Sequence, residues 1–144
     1  MTEEALYHEA LVRLGRAAHG AGRLALADAE ATADNPLCGD RATFQVRLRE
    51  GRIEAVAHQV RGCILCLASA SLVGRAAQGA TPGEVAEARS RAAALLLEGK
   101  PAPAGAWADL ALFQPVGGVP NRHACVLLPF DAIAEALQRA QAPR

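Results

Sequence analysis

Four cysteines and one aspartate carry the most specific chemistry in this chain. Cys38 and Asp40 lie two residues apart in the turn sequence Asn-Pro-Leu-Cys-Gly-Asp. Cys63 and Cys66 form a Cys-x-x-Cys pair after a glycine, and Cys125 lies in a third, distant segment. Thiolates from separate segments usually converge on a soft metal ion or on a sulfur-transfer centre.

Cys38, Asp40, Cys63 and Cys125 would form a tetrahedral set of three thiolates and one carboxylate, which zinc and ferrous iron both accept. The carboxylate is the weakest of these ligands, so Asp40 gives a position that opens to incoming sulfur or iron. A structural zinc site more often uses two Cys-x-x-Cys pairs, and this chain has one. Any one cysteine taken alone is as well explained as a small buried hydrophobic residue.

Length and composition indicate one globular domain over residues 1–144, with 51% hydrophobic residues and only 3% aromatic ones. The formal net charge is zero, which argues against nucleic-acid binding, since a nucleic-acid partner requires a basic surface. No stretch approaches the roughly 20 apolar residues of a membrane span. The first residues are acidic where an export signal would be basic, so we expect reduced thiols and a cytoplasmic location.

Alternating apolar and polar residues predict a strand over residues 42–49, and residues 53–60 predict its antiparallel partner beyond a Glu-Gly turn. Cys38 precedes this hairpin and Cys63 follows it. Because the two outer ends of a hairpin lie together, we expect these two cysteines at the same end of the sheet.

The remaining elements follow from apolar spacing and from capping residues. Residues 23–34 are ambiguous and should contain an edge strand, whereas residues 100–121 should be irregular, anchored by Trp107 and Leu110. A first helix is expected over residues 3–18, with Thr2 as N-cap and Tyr7, Leu11, Leu14 and Ala18 on one face. A second helix should run from residue 64 to about residue 73, and a third from the Thr81–Glu84 capping box to about Glu98. The last helix is expected over Phe130–Leu137, with Pro129 near its start.

Three motifs in this order resemble the U-type iron–sulfur cluster assembly scaffolds, the IscU, SufU and N-terminal NifU proteins. They are Asn-Pro-Leu-Cys-Gly-Asp, then Gly-Cys followed by an Ala-Ser-Ala-Ser helix, then Pro-x-Arg-x-x-Cys before a terminal helix. The resemblance covers about residues 5–140. It implies an α+β fold in which a three-stranded antiparallel sheet packs against helices, the IscU/SufE-like fold.

The resemblance also implies roles for individual residues. Cys38, Cys63 and Cys125 are the three family cysteines that hold a transient [2Fe–2S] cluster, and Asp40 is the aspartate that keeps it labile. Family members are scaffolds rather than enzymes. They receive persulfide sulfur from a pyridoxal-phosphate cysteine desulfurase of the SufS type, and they pass a cluster or sulfur to recipient proteins or to another scaffold. Cys38 and Cys125 are the candidate persulfide acceptors.

The long segment between Cys63 and Cys125 resembles the SufU branch, which has an insertion there. The Leu-Pro-Pro-Val-Lys run that a specialised chaperone grips in IscU is absent. Ala124 stands where IscU has histidine and SufU has lysine, and Cys66 stands where SufU has serine. We therefore expect a member of the SufU branch, and we do not expect it to deliver its cluster through that specialised chaperone.

Three residues keep two interpretations each. Cys66 is either a fourth thiolate ligand or a buried residue that packs under the site. His123, one position early for a ligand, is either a ligand or a solvated histidine. Arg122 either lowers thiol pKa values and steers a persulfide, or forms a salt bridge that fixes its loop.

Three functions are consistent with these residues. The first is an iron–sulfur scaffold that accepts sulfur and builds or passes on a cluster. The second is a zinc-dependent sulfurtransferase that relays persulfide sulfur, with Cys38 or Cys125 leaving the metal to accept it. The third is a small zinc-stabilised domain without a transfer role.

Overall fold

The computed structural model describes residues 2–142, apart from the side chains of Glu3, Glu4 and Leu6. Within that part of the chain, four α-helices accompany a three-stranded antiparallel sheet of order β1-β2-β3, which confirms the expected α+β class. The elements are α1 (Glu3–Ala17), β1 (Ala29–Asn35), β2 (Asp40–Arg49), β3 (Arg52–Arg61), α2 (Ile64–Ala76), α3 (Pro82–Glu98) and α4 (His123–Gln141). Two 3₁₀ segments, Gly105–Gly118 and Pro120–Arg122, precede α4.

The β2–β3 hairpin is the predicted one. Glu50 and Gly51 close it with positive φ angles of 52° and 78°, which suit the right-handed twist of the two strands. Alternate side chains of β2 enter the core, and Phe44 and Val46 are fully buried. The ambiguous segment contains β1, which pairs along β2 as an edge strand.

The helices form a layered core on the sheet. α4 contacts β1 and β2, α2 contacts β3, and α1 and α3 pack against α2 and α4 respectively. Small side chains make this close packing possible, since Ala68, Ser69, Ala70 and Ser71 of α2 are all fully buried. Leu110 is buried as expected.

Two predicted helix boundaries are wrong. α1 ends at Ala17, because Ala18 takes a left-handed conformation and is exposed rather than on the apolar face. α4 begins at His123, so Pro129 is its seventh residue instead of lying near its start. The preceding 3₁₀ turn leads directly into α4, which places Cys125 in the first helical turn rather than in a loop.

The segment expected to be irregular is more ordered than predicted. Gly105–Gly118 forms successive 3₁₀ turns, although a proline interrupts it and no helical periodicity marks it in the sequence. Trp107 is the predicted anchor and packs on Phe130 of α4, with ring centroids 5.7 Å apart. Among the helices of residues 2–142, none combines the length and the apolar character that a membrane crossing requires.

The connection after α1 crosses α2 at Gly74. A Cβ at this position would lie 2.1 Å from the carbonyl oxygen of His19. The same oxygen accepts a 2.7 Å hydrogen bond from Nε2 of His58 on β3, and the backbone N–H of His19 donates to Ser71 Oγ. The crossing therefore joins α1, α2 and β3 at one crowded point.

We expect Gly74→Ala to destabilise the protein by about 3 kcal/mol, the upper end of ordinary overpacking costs. The added methyl group meets the backbone of His19, which cannot move aside without losing its hydrogen bonds to His58 and Ser71. Chemical denaturation measures the free energy of unfolding. Gly83→Ala is the matched control, because the closest atom to its Cβ is 3.8 Å away and helix propensity favours alanine by about 1 kcal/mol. Equal stabilities of the two variants would contradict the crowding argument.

We expect stability to fall in acid partly through His58. Burial lowers the pKa of His58 below its ordinary value in the folded protein, so the unfolded chain takes up this proton first. The stabilising effect is therefore present above about pH 6.5 and is lost as the pH falls below that value. Denaturation of wild type and His58→Gln between pH 7.5 and 5 measures it. The variant should lose less stability across this range, and parallel curves would refute the assignment.

Candidate metal centre

Four candidate ligands meet at one end of the sheet. Cys38 lies in the turn between β1 and β2, and Asp40 is the first residue of β2. Cys63 is the N-cap of α2, immediately after β3, and Cys125 lies in the first turn of α4. Strand register positions the first three, and the packing of α4 on the sheet brings in the fourth.

The distances between these side chains suit a tetrahedral metal ion. The sulfurs of Cys38 and Cys125 are 3.8 Å apart, and the Cys63 sulfur lies 3.6 Å from Asp40 Oδ2. Ligand atoms of Cys38, Asp40 and Cys125 all lie within 4.8 Å of one another. With metal–sulfur distances of about 2.3 Å and metal–oxygen distances of about 2.1 Å, a tetrahedral ion separates two sulfurs by about 3.8 Å, and a sulfur from an oxygen by about 3.6 Å. The Cys38–Cys125 pair and the Cys63–Asp40 pair therefore each have the separation of two ligands on one zinc or iron ion, and the group of three within 4.8 Å does not include the Cys63 sulfur.

Asp40 is a buried carboxylate, only 3% exposed. Its Oδ1 accepts a 3.1 Å hydrogen bond from the backbone N–H of Cys63, and its Oδ2 faces the Cys63 sulfur. A buried carboxylate needs such partners. The N-terminus of α2, where Cys63 lies, also favours an anion. Asp40 is thus fixed with one oxygen held by the backbone and the other directed at the thiols.

Cys38 and Cys125 differ in their access to solvent. Cys125 is 1% exposed, and burial together with hydrogen bonding to Asp40 raises the pKa of its thiol above the ordinary range. Cys38 is exposed, in a turn whose tip also carries Leu37 at 96% exposure. A reagent or partner therefore meets Cys38 first. Sequence reasoning missed Leu37, although an apolar residue in a Pro/Gly turn with no core to enter was a usable signal.

Arg122 lies beside the thiols. The charge of the Cys63 thiolate and its hydrogen bond are the main causes that raise the pKa of Arg122, followed by Cys125, while Asp40 contributes less. Its Nε is buried without a hydrogen-bond partner. Arg122 therefore neighbours the thiols of Cys63 and Cys125 and the carboxylate of Asp40. Both interpretations of this residue stay predictions.

Cys66 lies in the hydrophobic core instead of among the ligand atoms. It is fully buried, and burial raises the pKa of its thiol to about 12. Cys63 is the N-cap of α2, with extended backbone angles (φ −72°, ψ 171°), and Cys66 lies in the first turn of the helix, where its side chain enters the core. This placement favours the packing interpretation of Cys66.

His123 is neither solvated nor directed at the thiols. It is partly buried, and its Nε2 lies 3.0 Å from the carbonyl oxygen of Val116 and 3.2 Å from that of Gly117. Two carbonyl acceptors require Nε2 to carry the proton. His123 therefore fastens the end of the 3₁₀ segment to the start of α4, and this role has no sequence signal because it depends on how the segment folds back.

An apolar groove of about 380 Å³ opens beside the candidate ligands. It runs between α1, the start of α2 and the 3₁₀ segment, and Arg122 lies at its edge. Its other lining residues are mostly apolar: Tyr7, His8, Leu11, Ile64, Leu65, Pro115, Val116 and Val119. The site is thus bordered by an exposed thiol, a cation and an apolar surface.

Known proteins share both the sequence pattern and the fold. The NifU-like N-terminal domain family matches residues 6–126. The iron–sulfur cluster assembly scaffold protein IscU 1 of Archaeoglobus fulgidus is 34% identical over 80 residues, which cover 56% of this chain and 52% of the relative. The chain therefore spans about half the length of that curated relative.

Solved structures agree with the fold over nearly the whole chain. The N-terminal NifU-like protein of Brucella abortus superposes with a TM-score of 0.90 at 36% identity, covering 96% of each chain. A protein described as a cluster assembly scaffold for the SUF system of Fervidobacterium islandicum AW-1 superposes with a TM-score of 0.83, over 94% of this chain and 99% of that one. Its 24% identity limits that likeness to the fold.

We expect the cysteines of the metal-free protein to react with iodoacetamide in order of exposure, Cys38 first and Cys66 last. A fully buried thiol whose pKa is about 12 reacts only when the structure opens, whereas Cys38 is accessible in the native fold. Peptide mass spectrometry over time measures each rate. Unfolding in guanidinium is the control and should equalise them. Equal rates in the folded protein would contradict the burial of Cys66.

Proposed function

The chain belongs to the NifU-like N-terminal domain family, and on that premise we propose that it is an iron–sulfur cluster assembly scaffold. In this proposal Cys38, Asp40, Cys63 and Cys125 hold the metal. The observation that carries the proposal is a pair of distances. The sulfurs of Cys38 and Cys125 are 3.8 Å apart, and the Cys63 sulfur is 3.6 Å from Asp40 Oδ2. Two ligands of a tetrahedral zinc or iron ion have these separations.

Sulfur enters at Cys38. Its exposure lets the thiolate reach the outer sulfur of a persulfide carried by a partner. The new bond forms between Cys38 Sγ and that sulfur, the sulfur–sulfur bond of the donor breaks, and the donor cysteine leaves as a thiolate that takes up a proton. Cys125 is the weaker candidate acceptor, because burial keeps its thiol protonated and out of reach.

The remaining residues prepare the site for cargo that must leave again. Arg122 stabilises negative charge on Cys63 and Cys125 without bonding to the metal. Asp40 is the hard ligand among soft ones, so it is the position most easily exchanged when iron, sulfide or a recipient ligand arrives. The protein thereby binds and transfers cargo as a scaffold, and the reaction that produces the sulfur belongs to its partner.

The partners follow from this chemistry. A persulfide donor of the pyridoxal-phosphate cysteine desulfurase type, SufS-like, docks over Cys38, and recipient iron–sulfur proteins or another scaffold take the product. The long 3₁₀ segment before Cys125 supports assignment to the SufU branch. The proposed chemistry requires free thiols, which are kept in the reducing cytoplasm, so we place the protein there.

Metal analysis and anaerobic absorption spectra test the scaffold proposal. Wild-type protein given ferrous iron and sulfide should develop visible absorption of a cluster. Cys38→Ser, Cys63→Ser and Cys125→Ser should each abolish it, while Cys66→Ser, the matched control, should retain it. Loss of the cluster in Cys66→Ser alone would overturn the ligand set. No cluster in the wild type would overturn the scaffold role.

A zinc-dependent sulfurtransferase is the second candidate, favoured by the exposed thiol of Cys38 beside the buried Asp40 and Cys125, because one thiolate can leave the metal there while buried ligands keep it. If it is correct, purified protein retains one zinc ion and gives no cluster, yet it stimulates a cysteine desulfurase. Stimulation should vanish in Cys38→Ser and persist in Cys66→Ser. A cluster that forms in the wild type, or stimulation that survives Cys38→Ser, would exclude this alternative.

A further inference from the structure

We propose that Gly62 is a positioning residue for Asp40, because the absence of a side chain at residue 62 leaves the space that the carboxylate occupies. The proposal rests on the scaffold function, since it concerns how the oxygen ligand of that site is held. Gly62 precedes Cys63 but donates no ligand atom itself.

The space is confined. A Cβ on Gly62 would lie 2.7 Å from Asp40 Oδ1, 2.8 Å from its Cγ and 3.1 Å from its Cβ. Carbon atoms in proteins essentially never approach within 3.0 Å without a shift of one group. The three nearest atoms all belong to the side chain of Asp40, so a Cβ at residue 62 would meet this side chain first.

Backbone geometry does not explain the glycine. Gly39, in the neighbouring turn, has a φ of 74°, in the left-handed region that favours glycine. Gly62 is not among the residues with positive φ. An alanine could therefore adopt the backbone of residue 62, and the reason for glycine is the room that it gives to its neighbour.

Asp40 cannot yield without leaving the site. Arg41 and Arg61 are paired in the β2–β3 ladder, so the next residues outward, Asp40 and Gly62, face each other across the hairpin. The backbone of Asp40 is fixed at the start of β2, and only its side chain can turn away. Doing so breaks the hydrogen bond from the Cys63 N–H to Oδ1 and withdraws Oδ2 from the Cys63 sulfur.

The test compares zinc release from Gly62→Ala, Asp40→Ala and the double variant, with Gly83→Ala as a control remote from the site. A chromophoric chelator measures the rate. We expect Gly62→Ala to release zinc about tenfold faster than wild type, the lower end of the loss when a group that orients a ligand is removed. Asp40→Ala should be at least as fast, and Gly62→Ala should add nothing in the Asp40→Ala background.

The outcomes separate this proposal from the scaffold function. Suppose that Asp40→Ala releases zinc fast while Gly62→Ala releases it at the wild-type rate. This result overturns the positioning role of Gly62 and leaves the ligand set intact. If Asp40→Ala releases zinc at the wild-type rate, Asp40 is not a ligand. The positioning role of Gly62 then falls with it, while cluster formation in the wild type still decides the scaffold function. An equal acceleration by Gly62→Ala in the wild-type and Asp40→Ala backgrounds shows that Gly62 acts through the backbone, which also overturns the proposal.

Amide hydrogen exchange of Cys63 in the metal-free protein gives a second readout. Gly62→Ala and Asp40→Ala should both accelerate it, since each removes the acceptor of that N–H, and unchanged protection in Gly62→Ala would overturn the proposal. If Gly62→Ala does not fold, the double variant should fold, because truncating Asp40 relieves the contact. A double variant that also fails to fold would overturn it as well.

Discussion

The hydrogen bond from the Cys63 backbone N–H to Asp40 Oδ1 links the two open ends of the β2–β3 hairpin, and the candidate metal centre is built around it. It fixes the first residue of β2 against the N-terminus of α2. It also gives a hydrogen-bond partner to the Asp40 carboxylate, which is only 3% exposed. Burial of a carboxylate without such a partner costs free energy. Register in the ladder makes this bond possible, because a slip of one residue would turn Asp40 to the opposite face of the sheet.

The fourth candidate ligand depends on packing between helices. Cys125 reaches the site because α4 lies across β1 and β2 and is held to α2, where Ser69 Oγ donates a 2.6 Å hydrogen bond to the carbonyl oxygen of Val126. Pro129 has no N–H to donate to the carbonyl oxygen of Cys125, so the first turn of α4 is only partly satisfied by the helix itself. Hydrogen bonds from Ser69 to the Val126 carbonyl oxygen and from His123 to those of Val116 and Gly117 tie this turn to α2 and to the 3₁₀ segment.

Burial divides the site into a fixed half and an accessible half. Asp40 and Cys125 are buried, whereas Cys38 lies in an exposed turn. A centre that is only held would gain from covering all of its ligands, while a centre that exchanges sulfur and metal needs one thiol that a partner can reach. Leu37 is exposed in the same turn as this thiol, and the apolar groove that Arg122 borders is a second uncovered apolar surface near the candidate ligands.

The sequence by itself determined the hairpin, the capping of α3 and the identity of the four candidate ligands, because these depend on alternation, on local capping bonds and on residue type. It also predicted that Cys38 and Cys63 lie at one end of the sheet, from chain order alone. Tertiary structure decided what depends on distant neighbours. It buried Cys66 beneath the site, started α4 before Cys125, turned His123 toward the 3₁₀ segment and packed Asp40 onto Gly62. No local pattern encodes these outcomes, since each one depends on which atoms of a remote element occupy the space beside the residue.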